Sequence, residues 1–178
     1  TGALIALDSS SIIDGLLLVA VDSEGSGTGL VLVGPALAAN ASNVTVSDNL
    51  IEVSSGNFLG VASALPLVAL DNSTIQASSL LNVNFGTAEL GGSLLLTQNS
   101  HATFSGSVLA DGEGSDVTLA GSLLSVTGRP EPNGSSTSVS ANNVAEVFFA
   151  ASLDVGGSIL SVTNAALDLG VTDVEISS

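Results

Sequence analysis

The sequence predicts an all-β fold, a parallel β-helix (β-solenoid) that occupies residues 1–178 as a single domain. Two observations predict it. A five-residue apolar pattern recurs along the whole chain, and the 20 glycines, with many Ser and Asn residues, leave no stretch with the periodicity of an amphipathic helix. A short period of strand and turn is typical of repeat folds, because stacked coils bury a core that no single coil buries alone.

The repeat has the form x-Φ-Φ-x-Φ, in which Φ is an apolar residue, and it predicts about eleven strands. It is most regular between Ser79 and Gly128, where Ser-Leu-Leu recurs at Ser93 and Ser122. A β-sandwich is the alternative, but it does not require so many near-identical strands at such short spacing. The eleven repeats begin at Ala3, Leu17, Gly29, Asn49, Pro66, Ser79, Ser93, Ser107, Ser122, Asn143 and Ser158.

The repeats also form a longer unit. The three repeats that begin at Gly29, Asn49 and Pro66 resemble the three from Ser122 to Ser158, which predicts an internal duplication of a six-strand unit. One repeat per coil would give a thin coil of 14 to 15 residues, and two would give a wider coil of 26 to 37 residues. We favour the wider coil, because the six-strand unit then spans three whole coils.

The second and third positions of the repeat are both apolar, as in Leu80 with Leu81 and Leu123 with Leu124. Successive residues of a flat strand point to opposite faces. The chain therefore either bends into a corner between them or presents one leucine row to solvent as a lateral contact surface. The bend is the interpretation we favour.

Composition excludes several classes of function. The chain has 17 acidic residues against a single Arg, a formal net charge of −16, and would repel nucleic acid. Its longest apolar run, Leu16 to Val21, is too short for a membrane-spanning helix of about 20 residues. With one Arg and neither Trp nor Tyr, the chain lacks the residues of a polysaccharide-cleaving cleft. We therefore expect no enzyme activity, no catalytic residues and no bound organic cofactor.

Three carboxylates form the strongest candidate site. Asp111, Glu113 and Asp116 lie within six residues on a Gly-rich turn. Hard oxygen ligands on flexible loops suit Ca²⁺, so a calcium site is one interpretation and solvated turn acids are the other. His101 has no second His and no Cys to complete a metal site, and we expect it to be a solvent-facing turn residue.

Four Asn-x-Ser/Thr sequons begin at Asn40, Asn43, Asn72 and Asn133. Chance accounts for part of this number in a chain so rich in Asn, Ser and Thr. Asn72 and Asn133 lie in predicted turns, so we expect these two to accept N-linked glycans if a glycosylating cell secretes the protein.

Both ends of the chain have the pattern of strands. An open solenoid end presents unpaired backbone groups and core rows, and two such ends are complementary. Their heterologous contact does not close on itself and would give a filament. We therefore expect a homopolymer, with divalent cations as further candidate partners. The residues expected at the joint are Leu4, Ile5 and Leu7 at one end and Val171, Val174 and Ile176 at the other.

The strands are followed by Asn, Asp or Gly turns and restart at Gly-Ser, as between Gly121 and Val126. In this pattern the chain resembles the repeat regions of filamentous-haemagglutinin-type adhesins and other bacterial β-helical surface proteins. The resemblance implies secretion, adhesion or surface coating. We expect an extracellular or cell-surface structural protein, the subunit of a filament or an adhesin stalk. The alternative is a cell-surface module that recognises a glycan or a host protein through its loops.

Overall fold

The computed structural model describes residues 2–15, 17–20, 29–129 and 137–176, apart from the side chains of residues 19, 20 and 171–173. All regular structure in these ranges is β-strand. The strands are β1 (Ile5–Asp8), β2 (Ser11–Asp14), β3 (Leu18–Ala20), β4 (Gly29–Leu32), β5 (Leu37–Asn40), β6 (Asn43–Val46), β7 (Ile51–Ser54), β8 (Phe58–Val61), β9 (Val68–Asp71), β10 (Thr74–Ala77), β11 (Leu81–Asn84), β12 (Thr87–Leu90), β13 (Leu95–Gln98), β14 (His101–Phe104), β15 (Ser107–Asp111), β16 (Asp116–Leu119), β17 (Leu124–Thr127), β18 (Ser138–Val147), β19 (Ser152–Val155), β20 (Leu160–Thr163) and β21 (Ala166–Ile176).

The strands form a parallel β-solenoid, as the repeat predicts. Each complete coil contributes one strand to sheet A, two successive strands to sheet B and one to sheet C. Sheet A has the order β1-β5-β9-β13-β17-β20, and sheet C has the order β4-β8-β12-β16-β19. The long strands β18 and β21 each supply both sheet B positions of a coil. The chain thus makes five complete coils and enters a sixth.

The wider coil is confirmed. Paired sheet A positions start at residues 5, 37, 68, 95, 124 and 160, so successive coils take 32, 31, 27, 29 and 36 residues. The first, third, fourth and fifth coils each carry one x-Φ-Φ-x-Φ repeat in sheet A and one in sheet B, whereas in the second coil only the sheet B strand β7 carries one. No helix in the described part of the chain is long and apolar enough to cross a membrane.

One repeat does not follow this rule. The strand that begins at Gly29 is β4, which pairs with β8 in sheet C, whereas the repeat at Ser122 forms β17 in sheet A. The equivalence of Gly29 and Ser122 in the predicted six-strand duplication is therefore wrong. The remaining pairs of that duplication, Asn49 with Asn143 and Pro66 with Ser158, do lie three coils apart in the same sheets.

The paired leucines lie at a corner, which confirms the predicted bend. Leu80, Leu94 and Leu123 sit just before strands β11, β13 and β17, and are fully buried. Leu81 and Leu124, which begin their strands, are fully buried as well. Because the chain turns between the two positions, both leucines enter the core, and neither row forms an outward stripe in the inner coils.

The core consists of inward columns that run along the solenoid. One column in sheet B pairs Ile51 with Leu81, Leu109 and Ala145 in successive coils. The predicted inward residues are all fully buried, namely Leu81, Val83, Leu95, Leu109, Leu124 and Val126.

A ladder of serine residues holds the turn between sheets A and B. Ser73 is typical, because its hydroxyl group donates to the carbonyl of Asp71 at 2.8 Å and accepts the N–H of Ser42 at 3.0 Å. The N–H of Ser73 in turn donates to the hydroxyl group of Ser100 at 3.0 Å. Ser10 begins the ladder, since its N–H donates to Ser42 Oγ at 3.1 Å. Each serine thus satisfies buried polar groups of its own coil and of the preceding coil.

Candidate functional site

The first coil leaves its core columns partly uncovered. Ile5, Leu7 and Leu18 pack against the core yet remain half-buried, whereas Leu37 and Ile51, their partners in the second coil, are buried. Leu4, at the corner before β1, is 51% exposed. The predicted joint residues of this end therefore lie on the open face of the solenoid.

The last coil repeats this situation at the other end. Leu160 and Val174 are half-buried, and Ile176 is 79% exposed. They continue columns that are buried in the inner coils, since Leu160 follows Leu124. The backbone of Val171 lies within β21, but its side chain is outside the described residues.

The two ends present complementary hydrogen-bonding groups. Within the solenoid, the N–H of Leu95 donates to the carbonyl of Leu123, and the N–H of Leu124 to the carbonyl of Ile159, at 3.1 and 3.0 Å. In the last coil the N–H of Leu160 holds the donor position of this series. In the first coil the carbonyl of Leu4 holds the acceptor position.

The turns at the two ends also have the same shape. Ser9 has a φ of 50° and Asn164 a φ of 52°, the left-handed conformation found at the first turn residue between sheets A and B. Ser10 presents the open hydroxyl acceptor of the serine ladder, and the N–H of Ala165 holds the matching donor position. Both ends thus have the geometry of one coil repeat.

Asp14 is a charged exception at the first coil. It continues the inward column of Val46 and Ala77, yet its side chain is exposed and accepts the Gly15 N–H at 2.7 Å. Inward-pointing charges on edge strands oppose edge-to-edge association. Another coil stacked on this end would bury the carboxylate of Asp14.

The three carboxylates of the candidate calcium site point in different directions. Asp111 ends β15 and is fully buried, while Glu113 lies exposed in the turn and Asp116 lies exposed at the start of β16. Within the described residues, no group of three His, Cys, Asp or Glu side chains is placed to hold a metal ion. Calcium binding by these residues stays a prediction.

Asp111 lies in an inward column in which Val83 and Val147 are its neighbours. Burial raises the pKa of its carboxyl group to about 6; the hydrogen bond from Ser115 lowers this pKa, and the nearby charge of Asp116 raises it. Among the described residues, its Oδ2 atom has no hydrogen-bond partner. The repeat that begins at Ser107 places Asp111 at its fifth position, which Val83 and Val126 hold in their repeats, so the repeat pattern could have predicted this inward orientation.

Asn72 and His101 lie on the surface. Asn72 is exposed in a turn with a φ of 48°, and its amide group donates to Asp71 Oδ1 at 3.0 Å. Asn133 is outside the described residues. His101 is exposed, as predicted, but it lies at the start of β14 and not in a turn; its Nδ1 atom is 2.8 Å from Ser138 Oγ.

A groove that sequence reasoning missed lies on the outer wall of the third, fourth and fifth coils. Ala110 stands between Asn82 and Glu146 in an outward row of sheet B, and its short side chain leaves a depression there. The groove has a volume of about 570 Å³. Its lining consists of Asn82, Asn84, Ala110, Gly112, Glu113, Glu146, Phe148 and Phe149.

Two adjacent aromatic side chains form one wall of this groove. Phe148 is 43% exposed and Phe149 is 65% exposed. The turn that carries them is held by the N–H of Phe148, which donates to Asp111 O at 2.9 Å, and by the N–H of Ala151, which donates to Phe148 O at 3.0 Å. The sequence signal for this wall is a Phe-Phe pair directly after an apolar repeat.

Comparisons with protein-family models, with curated proteins and with solved structures find no match to this chain.

Proposed function

We propose that the protein is an extracellular structural subunit that stacks head to tail with copies of itself, as the subunit of a surface filament or an adhesin stalk. The observation that carries this proposal is the complementarity of the two coil ends. The filamentous-haemagglutinin-type pattern of the sequence supports the same class of function. The proposal assigns no enzyme activity, and it places the protein at the cell surface or outside the cell.

Stacking continues the coil repeat from one copy to the next. Ile5 of one copy would cover Leu160 of its neighbour, because both belong to the same sheet A column. The Leu160 N–H would donate to the Leu4 carbonyl, and the Ala165 N–H would donate to the Ser10 hydroxyl group. The rise at the joint would equal the spacing of parallel strands, about 4.8 Å.

The joint would continue two of the three sheets. β1 would pair with β20, while β2 and β3 would pair with β21. Sheet C of the described chain ends at β19, one coil earlier, so the joint would leave a notch of one strand there. Apart from Asp14, the half-exposed core columns of sheets A and B are apolar, and their burial would stabilise the joint by about 25 cal/mol per Å².

Charge would oppose the joint at low ionic strength. Each copy carries a net charge of −16, and stacking would bury Asp14 near Leu169, which follows Ala141 in the same column. Salt screens repulsion between exposed charges. We therefore expect assembly to strengthen with added NaCl and in the Asp14→Val variant.

Sedimentation velocity tests the proposal with two variants that each block one end. Ala6→Pro removes an N–H that points away from the second coil, and Leu160→Pro removes the donor at the last coil, so neither removes a bond between coils of one chain. We expect the parent to polymerise, each variant alone to stay monomeric, and an equal mixture to form dimers, since each variant keeps one open end. A monomeric parent at high concentration and in 0.5 M NaCl would contradict the proposal and favour caps supplied by flanking segments.

A further inference from the structure

The lining of the groove on the outer wall combines acidic and aromatic side chains and has no basic ones. Its polar lining consists of the carboxylates of Glu113 and Glu146 and the amides of Asn82 and Asn84, with no Lys or Arg among its residues. Its apolar lining includes the exposed rings of Phe148 and Phe149. The faces of aromatic rings carry partial negative charge, so rings and carboxylates attract the same kind of ligand.

The groove draws its residues from three coils. Asn82 and Asn84 belong to β11, Glu113 to the turn after β15, and Phe148 to the turn after β18. Glu146 is held in place by Asn143, whose amide group donates to Glu146 Oε1 at 2.6 Å. The stacking of coils, rather than any local motif, therefore assembles this site, and strands β11, β15 and β18 pair beside it.

We propose that this groove binds a basic segment of a partner protein by accepting a Lys or Arg side chain. The hydrocarbon stem of such a side chain packs on Phe148 and Phe149, and its cationic head reaches Glu113 and Glu146. A cation over an aromatic face is attracted by the ring, and Arg or Lys pairs with carboxylates through charge-assisted hydrogen bonds. The volume of the groove falls in the range of small-ligand pockets, which suits one or two side chains.

The charge of the whole chain favours the same partner. A net charge of −16 with one Arg concentrates cations near the surface and repels acidic proteins and phosphate groups. The net negative charge alone would attract basic peptides anywhere on the surface. The test must therefore distinguish binding in the groove from non-specific electrostatic attraction. The groove lies on the side wall, so its occupancy does not depend on head-to-tail stacking.

Fluorescence anisotropy with a labelled Gly-Arg-Gly-Lys-Gly peptide tests the proposal, with Gly-Glu-Gly-Asp-Gly as the control peptide. We expect binding of the basic peptide alone, measured at 0.15 M NaCl, where the screening length is about 8 Å. Phe149→Leu keeps an apolar side chain without an aromatic face and is expected to weaken binding about threefold. Glu113→Gln is expected to weaken it by a similar factor, about threefold.

Glu89→Gln is the matched charge control. Glu89 is exposed on β12 of sheet C, so this substitution removes one negative charge outside the groove. This control is expected to leave the affinity within about 1.5-fold of the parent. Equal weakening by Glu89→Gln and Glu113→Gln would overturn the proposal, since binding would then follow net charge. Displacement of the peptide by an equal concentration of putrescine would also overturn the proposal, because the groove would then be a site for small free amines. Melting curves of each variant check that the fold is retained.

Discussion

The hydroxyl group of Ser115 donates a hydrogen bond to a carboxylate oxygen of Asp111 inside the fourth coil. This acid takes a position that valine fills in neighbouring coils, at Val53, Val83 and Val147. Burying a charge without full pairing costs free energy, so the protein holds the proton of this group more tightly when folded. Asp111 therefore links the stability of the solenoid to pH.

The pH dependence of unfolding is the first prediction. The pKa of Asp111 is about 6 in the folded chain against 3.8 for an ordinary Asp. Its contribution to stability is therefore most favourable below about pH 4 and is lost as the pH rises through 6. From pH 7 to pH 4, we expect this group to add on the order of 2–3 kcal/mol to the free energy of unfolding.

Urea unfolding of the parent and of Asp111→Asn at four pH values between 4 and 7 measures this contribution. Asn has a side chain of the same shape, and its carbonyl oxygen can accept the hydrogen bond from Ser115. The Asn side chain does not ionise between pH 4 and 7. Relief of repulsion among the other acids affects both proteins, so the difference between them isolates Asp111. Parallel pH profiles would show that the carboxylate is not buried in the core.

The second prediction compares an inward and an outward position of one strand of sheet A. Leu95 is fully buried, whereas the next residue, Leu96, is only half-buried and points outward. We expect Leu95→Asp to lower the free energy of unfolding by several kcal/mol, about 3–5, through a lost apolar contact and a buried charge. Leu96→Asp adds the same charge to the same strand and should cost less than about 1 kcal/mol. Equal melting midpoints of the two variants would refute the inward assignment.

The serine ladder gives a third prediction. In Ser73→Ala, the buried N–H of Ser42 loses its acceptor, so we expect a cost of about 1–3 kcal/mol, the penalty for an unsatisfied buried donor. Ser47→Ala is the control, because Ser47 is exposed and its hydroxyl group is not part of the ladder. Thermal unfolding compares the two. A loss no larger than that of the control would mean that the ladder does not stabilise the coils.

The fourth prediction concerns cations. With a net charge of −16, we expect NaCl to raise the melting midpoint by screening self-repulsion. If Glu113 and Asp116 bind calcium, CaCl₂ should raise the midpoint further than NaCl of equal ionic strength. The double variant Glu113→Ala, Asp116→Ala should remove this excess, and Glu89→Ala should not. A midpoint that responds to neither salt would remove the charge argument altogether.

Much of the fold could be predicted from the sequence, because the core columns repeat the same apolar residues. Leu81 and Leu124 are buried for the reason that their pattern predicts. The predicted equivalence of the strands at Gly29 and Ser122 is wrong, since Gly-Leu-Val-Leu-Val fits sheet C as well as sheet A. The strand at Leu37 is hard to recognise from the sequence, because alanines follow Leu37 where other strands have larger apolar residues.

The groove could not be predicted, for a physical reason. Asn82 and Phe148 line the same groove only because coils of unequal length stack in register, and local sequence does not determine that register. The outward row that holds Asn82 also contains Ala110 and Glu146, which share no pattern. Sequence repeats therefore predict what faces the core far better than what assembles on the wall.

Disulfide trapping of the joint tests head-to-tail stacking most directly. Ala6 and Ser161 are exposed, and they occupy the first and last positions of one outward column of sheet A. Five coils separate them within a chain, about 24 Å at the spacing of parallel strands. Across the joint they would be neighbours, within the Cα separation of about 4.4–6.8 Å that a disulfide requires. The chain has no Cys of its own, so engineered thiols report only on this contact.

The double variant Ala6→Cys, Ser161→Cys is oxidised gently and resolved on a non-reducing gel beside Ala6→Cys, Asp154→Cys. Asp154 is exposed on β19 in sheet C, so a thiol introduced at this position would not reach a thiol at position 6 of the next copy. Head-to-tail stacking predicts a ladder of covalent multimers for the first pair that far exceeds the ladder for the second pair. Monomers only, or equal ladders for both pairs, would contradict head-to-tail stacking in the register of the coils.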